Sequence, residues 1–178
     1  PYIGKLVSLS VIRELGPAFT ALVVGGRIGS GMAAELGSMR VTEQIDAILA
    51  LGASPYQKLL VPRVLATTFM LPLVTLIASF IGILGGMLIA WLEFKVSPLS
   101  FYESSLHTIG FNDFWSGFLK PFFFGFGTAI IGCHHGFQCE TGTAGVGKAT
   151  TTAVVNISLM VVFLDFLLTR LFAQVWPH

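Results

Sequence analysis

Cys133, His134, His135 and Cys139 set thiolate and imidazole groups, the ligands zinc prefers, within one seven-residue stretch. Their C-x5-C spacing is not that of a finger or ribbon, so polar residues at a membrane boundary are the expected reading and no metal is predicted. The run Gly142-Thr143-Ala144-Gly145-Val146-Gly147-Lys148-Ala149 nearly matches the phosphate-cradling loop G-x-x-x-x-G-K-[ST]. Ala149 stands where a hydroxyl would hold magnesium, and apolar helix rather than strand leads in, so a tight turn between two helices explains the glycines. No Ser, His and acid stand out as a nucleophile with its base. The chain is therefore expected to be neither an enzyme nor a cofactor carrier.

Charged residues inside apolar stretches are the stronger chemical signal. An ionised side chain in hydrocarbon costs at least a few kcal/mol unless it is paired or faces water. Arg13 and Glu14 are adjacent, so on a helix they point about 100° apart and at least one is expected to face a cavity. Lys120 offers a positive charge to a lipid phosphate. The competing reading is a structural ion pair, Glu14 with Lys120 or Asp165 with Arg170. Asp165 and Arg170 are five apart, a poor helical spacing, and Arg170 can instead snorkel to the interface.

From Arg40 to Pro55 runs one short polar island between apolar stretches. Its pattern predicts a small amphipathic helix over 42–52, with Thr42 as cap, Glu43 and Asp46 in the first turn, and Gly52 and Pro55 as the stop. Ile45, Ile48, Leu49 and Gly52 share a face, which leaves the other side for a soluble partner. Glu43, Gln44 and Asp46 are the expected contact residues.

These groups need elements to hold them. Of 178 residues, 54% are hydrophobic and 11% charged, against about a quarter charged in soluble domains. Segments at about 6–34, 59–92, 114–133 and 151–176 each approach or exceed the roughly 20 apolar residues that cross a bilayer. They fill most of the chain, which excludes a soluble domain with buried helices. The expected fold is all-α: one transmembrane domain over 1–178, a polytopic bundle of four spans with the island helix between the first two. A net charge of +1 gives no footprint for nucleic acid. If the spans alternate, the loops at 35–63 and 134–150 share one side with Arg40, Lys58, Arg63 and Lys148, whereas the other side holds Lys5 and Lys95. The positive-inside bias then makes the first side cytoplasmic, where Cys133 and Cys139 are not expected to form a disulfide. The chain begins at Pro1 with neither an initiator Met nor a signal peptide, and a segment upstream is expected.

Gly25 and Gly29, Gly82 and Gly86, and Gly132 and Gly136 have the small-x-x-x-small spacing that lets helix backbones approach in lipid. Packing within the chain is the plain reading. A second copy is expected to meet the Gly25/Gly29 region or the small residues of the fourth span. Pro17, Pro72 and Pro121 lie inside apolar spans, where each removes a backbone hydrogen bond and invites a kink or break.

Several multi-residue motifs resemble the MlaE permease family. They are Val11-Ile12-Arg13-Glu14-Leu15-Gly16-Pro17, Gly26-Arg27-Ile28-Gly29-Ser30, the run from Ala34 through Arg40-Val41-Thr42-Glu43-Gln44-Ile45-Asp46 to Ala47, and Gly145-Val146-Gly147-Lys148-Ala149-Thr150-Thr151. They follow the family's order, and the similarity extends from about Val11 to about Phe172. The resemblance implies a homodimeric membrane subunit of a lipid-moving ABC transporter, with five membrane helices and an interfacial helix before the first. This chain would hold the last four. Implied partners are a cytoplasmic ABC ATPase, a periplasmic MCE-domain lipid carrier, phospholipid, a second copy of the chain and, in some systems, a small STAS-domain protein. It also implies that positions matching Arg13, Glu14 and Lys120 fall near the lipid pathway.

The expected function is thus a multi-pass permease of the inner membrane, moving phospholipid between that membrane and a periplasmic carrier and driven by ATP hydrolysis in another subunit. Two alternatives come from other classes. One is an intramembrane lipid-modifying enzyme using His134, His135 or Asp165. The other is a secondary transporter with proton coupling through Glu14 and Asp165.

Overall fold

The computed structural model describes residues 2–175, and among them all regular structure is helical. In chain order the helices are α1 (Ile3–Val41), α2 (Gln44–Ala50), α3 (Tyr56–Phe94), α4 (Pro98–Leu106), α5 (Phe111–Phe137) and α6 (Thr143–Val175). α1, α3, α5 and α6 are long and apolar enough to cross a bilayer. At 1.5 Å per residue, the 39 residues of α1 or α3 measure about 58 Å, well beyond about 30 Å of hydrocarbon. α1 runs past its predicted end at Ala34 because the next turns are packed. Leu36 is buried over Gly136, and Gly37 faces Cys139 and Val146. Hydropathy alone stops short of these residues, at the charge of Glu35.

Partner residues set the helix directions. α1 is parallel to α5, matching Gly25 with Thr128 and Gly29 with Gly132. It is antiparallel to α3 and α6, matching Val11 with Gly82, Glu35 with Arg63 and Gly37 with Val146. The α1–α3 and α5–α6 connections therefore share one end of the bundle, the island end, as alternation of spans requires.

α5 is the most enclosed helix, with 56% of its most apolar window buried against 11% in α3. Its inner ridge carries Gly117, Lys120, Phe124, Thr128, Gly132 and Gly136, three or four residues apart. Phe124 packs in one core with Ala21, Leu71, Ile157 and Val161. The glycines on this ridge decide how closely backbones approach: a Cβ at Gly132 would lie 2.7 Å from the Gly29 carbonyl oxygen and 3.0 Å from its Cα. Such close packing associates helices in lipid, where burial of apolar surface gives no advantage. It also corrects the expectation that Gly25 and Gly29 meet a second copy. That face is occupied in-chain by Thr128, Gly132 and Ile157, while Gly82 and Gly86 face Val11 and Val7.

The prolines behave differently from one another. α3 and α5 continue without interruption through buried Pro72 and Pro121, so neither breaks as expected. α1 instead widens into π-helical turns at Val11–Leu15 and Ala21–Gly25, on either side of buried Pro17. α4 lies in the 93–113 connection, for which no helix is predicted above. Ser97 caps it, its Oγ accepting from Ser100 N–H at 3.2 Å, and Pro98 takes the first position. Phe101 packs on Gly4, and the Ser105 and Ser8 hydroxyls lie 2.7 Å apart, which ties α4 to the start of α1.

Candidate functional site

Pro17 has no N–H to offer the carbonyl of Arg13, four residues earlier on α1. That carbonyl accepts instead from Lys120 Nζ of α5, at 3.1 Å. The same ammonium lies 2.7 Å from Glu14 Oε2, 3.2 Å from Asp165 Oδ1 and 2.8 Å from Thr169 Oγ1. Lys120 thus shares three N–H groups among four oxygens and joins α1, α5 and α6 at one point. Its side chain has no accessible surface, whereas those of Glu14 and Asp165 are 37% and 23% exposed. The Thr169 hydroxyl proton is shared between Glu14 Oε2 at 3.1 Å and the Asp165 carbonyl at 2.8 Å. One ammonium facing two carboxylates meets the condition for ions at membrane depth, that each be paired and hydrogen-bonded.

The structure places each predicted residue of this group. Glu14 and Lys120 are paired, and Glu14 is the member most open to its surroundings. Arg13 turns away, its guanidinium 3.4 Å from Asp113 at the start of α5, and both side chains are largely covered. Asp165 pairs with Lys120 rather than with Arg170, which is exposed. The α6 hydroxyl and Asp113 complete the cluster without any local sequence signal. Their charged partners, Lys120 and Glu14 for Thr169 and Arg13 for Asp113, lie on other helices.

At the island end the cap reading is corrected. α1 extends to Val41, and Thr42 closes it, its Oγ1 donating to the Ser38 carbonyl at 2.9 Å. Glu43 then takes a left-handed conformation, φ +60°, and stands before α2 rather than within its first turn. Asp46 does lie in that first turn and accepts from Arg40 at 3.1 Å. The stop is as expected at Gly52, whose φ of +76° lets Ala53 N–H reach the Ile48 carbonyl at 3.2 Å. Pro55 stands at the start of α3. Of the shared apolar face only Ile45 is buried, while Leu49 is 54% exposed.

Arg40, Glu43 and Asp46 border a cleft of about 310 Å³ whose other wall is Cys139, Glu140 and Thr141 from the α5–α6 turn. The island and that turn therefore form one polar surface. Gln44 is exposed beside it. Behind the surface, Arg63 of α3 reaches Glu35 of α1 at 2.9 Å, a clasp across the base of the α1–α2–α3 connection.

The remaining chemical groups stay apart. Cys133 is buried, His135 Nε2 lies 2.8 Å from Asn156 Nδ2, and Cys139 donates to the Glu140 carbonyl. Among the described residues no three His, Cys, Asp or Glu side chains gather as a metal site. Asp165 is nine residues beyond Asn156, about 13 Å along α6, so the two histidines and Asp165 do not meet. The glycine-rich run is the start of α6 rather than a turn. Gly142, at φ +90°, precedes the helix, and Gly145 packs inside its first turns against the Glu140 backbone.

Comparison with known proteins joins these features to a family. The model of the family described as Permease MlaE matches residues 1–171. A probable ABC transporter permease of Rickettsia felis is 40% identical over 97% of this chain and 67% of its own length. One from Synechocystis is 42% identical over 97% of this chain and 65% of its own. The intermembrane phospholipid transport system permease protein MlaE of Haemophilus influenzae is 36% identical over 95% of this chain and 65% of its own. The chain spans about two thirds of the length of these relatives.

Proposed function

Because the chain belongs to the MlaE permease family, we propose that it is the membrane subunit of an ABC transporter that moves phospholipid between the inner membrane and a periplasmic MCE-domain carrier. ATP is hydrolysed by a separate cytoplasmic subunit, and a second copy of the chain completes the pathway. A STAS-domain protein joins in systems that have one. The island end faces the cytoplasm, and this chain carries no catalytic residue.

The observation that carries this reading is the connection of both sites through one helix. α1 bears Arg40 beside the island and Glu14 in the Lys120 cluster, about 39 Å apart along its axis. ATPase closure pushes Glu43, Gln44 and Asp46. The Glu35–Arg63 clasp makes the outer parts of α1 and α3 follow together. At the other site α1 is held to α5 and α6 by one ammonium, with Arg13 and Glu14 inside the first of its two π-helical turns, a local geometry suited to two alternative arrangements. A shift there changes what Glu14 presents to the lipid path.

Reconstitution tests this reading. The full-length protein with its ATPase and carrier, in phospholipid liposomes, should transfer lipid only with hydrolysable ATP. Lipid movement by the permease alone under a pH gradient would overturn it in favour of a secondary transporter. Conversion of lipid without any ATPase would point to an enzyme.

A further inference from the structure

Arg27 lies on α1 between Gly25, which faces Thr128, and Gly29, which faces Gly132 and Ile157. Those neighbours put it level with Thr128–Gly132 in the last third of α5 and with Ile157 in the first half of α6, on a helix long and apolar enough to cross a bilayer. It is nevertheless exposed. Among the described residues its side chain has no ion-pair or hydrogen-bond partner, unlike Arg13, Arg40 and Arg63 on the same two helices. It stands in an open stripe with Phe19 and Val23, 59% and 70% exposed, and Gly31, beside which a Cβ would meet nothing within 4 Å.

An arginine in hydrocarbon needs an anion or water beside it. Toward the island end the next charged residue on α1, Glu35, is eight residues on, about 12 Å along the axis, so α1 itself sets no acidic side chain beside Arg27 on that side. The stripe is otherwise apolar or without a side chain. It suits acyl chains along its length and one anion at its centre. A guanidinium matches phosphate with two parallel N–H groups, which an ammonium cannot do.

We propose that the open face of α1 is a lipid-binding wall on which Arg27 holds the phosphate of a phospholipid in transit, with Phe19, Val23 and Gly31 against its chains. This rests on the reading of the protein as a phospholipid permease. It assigns the phosphate contact to an open residue, distinct from the closed cluster at Lys120.

The test compares wild type, Arg27→Lys and Arg27→Gln in the full-length complex. Phosphatidylglycerol co-purified with each is quantified, and ATP-driven transfer is measured from phosphatidylglycerol vesicles. Arg27 is exposed and, among the described residues, has no ion-pair or side-chain hydrogen-bond partner to lose, so each variant should assemble as wild type does. Bound lipid and transfer should fall at least tenfold in Arg27→Gln and remain low in Arg27→Lys. Full activity in Arg27→Lys would mean that a positive charge reaching the interface suffices, and would overturn phosphate recognition. Loss of bound lipid on adding inorganic phosphate, with transfer unchanged, would assign the site to free anion and overturn it too. So would a Val23→Cys cross-link to an acidic segment of another polypeptide covering the stripe. If wild type itself moves no lipid, the permease reading fails. If wild type and Arg27→Gln move it equally, this inference alone fails.

Discussion

Lys120 Nζ lies 2.7 Å from Glu14 Oε2, across 106 residues of sequence, in a position where the lysine has no accessible surface. The pair is the centre of a joint rather than an isolated bridge, because Asp165 and the Arg13 carbonyl share the same ammonium.

Removing the cation alone should therefore be far worse than removing the whole charge group. Lys120→Met leaves two carboxylates facing each other, and breaking a buried pair in this way costs about 3–5 kcal/mol. Combining it with Glu14→Gln and Asp165→Asn should recover most of that loss while lipid transfer stays low. Thermal unfolding in detergent and transfer assays measure the two effects separately. Equal stability of the single and triple variants would remove the joint from the account.

The close approach of α1 and α5 predicts a contrast between two glycines. At Gly132 a methyl group meets the Gly29 backbone, which cannot swing aside, so Gly132→Ala should destabilise by about 1–3 kcal/mol. At Gly31, mid-helix and open, the same change should be neutral or stabilising by up to about 1 kcal/mol. Melting of the two purified variants gives the comparison.

Reversing Glu43 and Asp46 to lysine should leave insertion intact, since the Arg40–Asp46 pair is about half exposed and such pairs contribute about 0–1 kcal/mol. Binding of the ATPase should weaken. Charge-assisted contacts are worth about 1.5–3 kcal/mol, or about 10- to 150-fold in Kd. Pull-down of the ATPase with the reconstituted protein reads this directly, and unchanged binding would reduce the island to a surface feature.

Glu43 and Lys95 both hold a left-handed backbone, at φ +60° and +53°. Glycine at either position should raise stability by up to about 1 kcal/mol, because it carries no Cβ to crowd the following carbonyl. Only Glu43→Gly should also weaken ATPase coupling. Lys95→Gly, at the opposite end of the bundle, should transfer lipid as well as wild type does.

How these residues came to be readable differs with the distance over which each is decided. The four spans, the polar island and the Gly52 stop were legible because bilayer thickness and helix-end stereochemistry act on neighbours in the chain. Ser97-Pro98 carried a cap signal for α4 of the same local kind. The true end of α1 was not legible, since Leu36 and Gly37 are kept helical by Gly136, Cys139 and Val146, while the charge of Glu35 ends the hydropathy signal. Thr42 and Glu43 changed roles for the same reason. Asp165 had a cation five residues away in Arg170 and another 45 residues away in Lys120, and only the crossing of α5 and α6 decided between them. The sequence by itself determined which segments enter the membrane and to which family the motifs belong. Which charges meet there was decided by the tertiary structure, because an ion in low dielectric takes whichever partner the helix packing brings within about 3 Å.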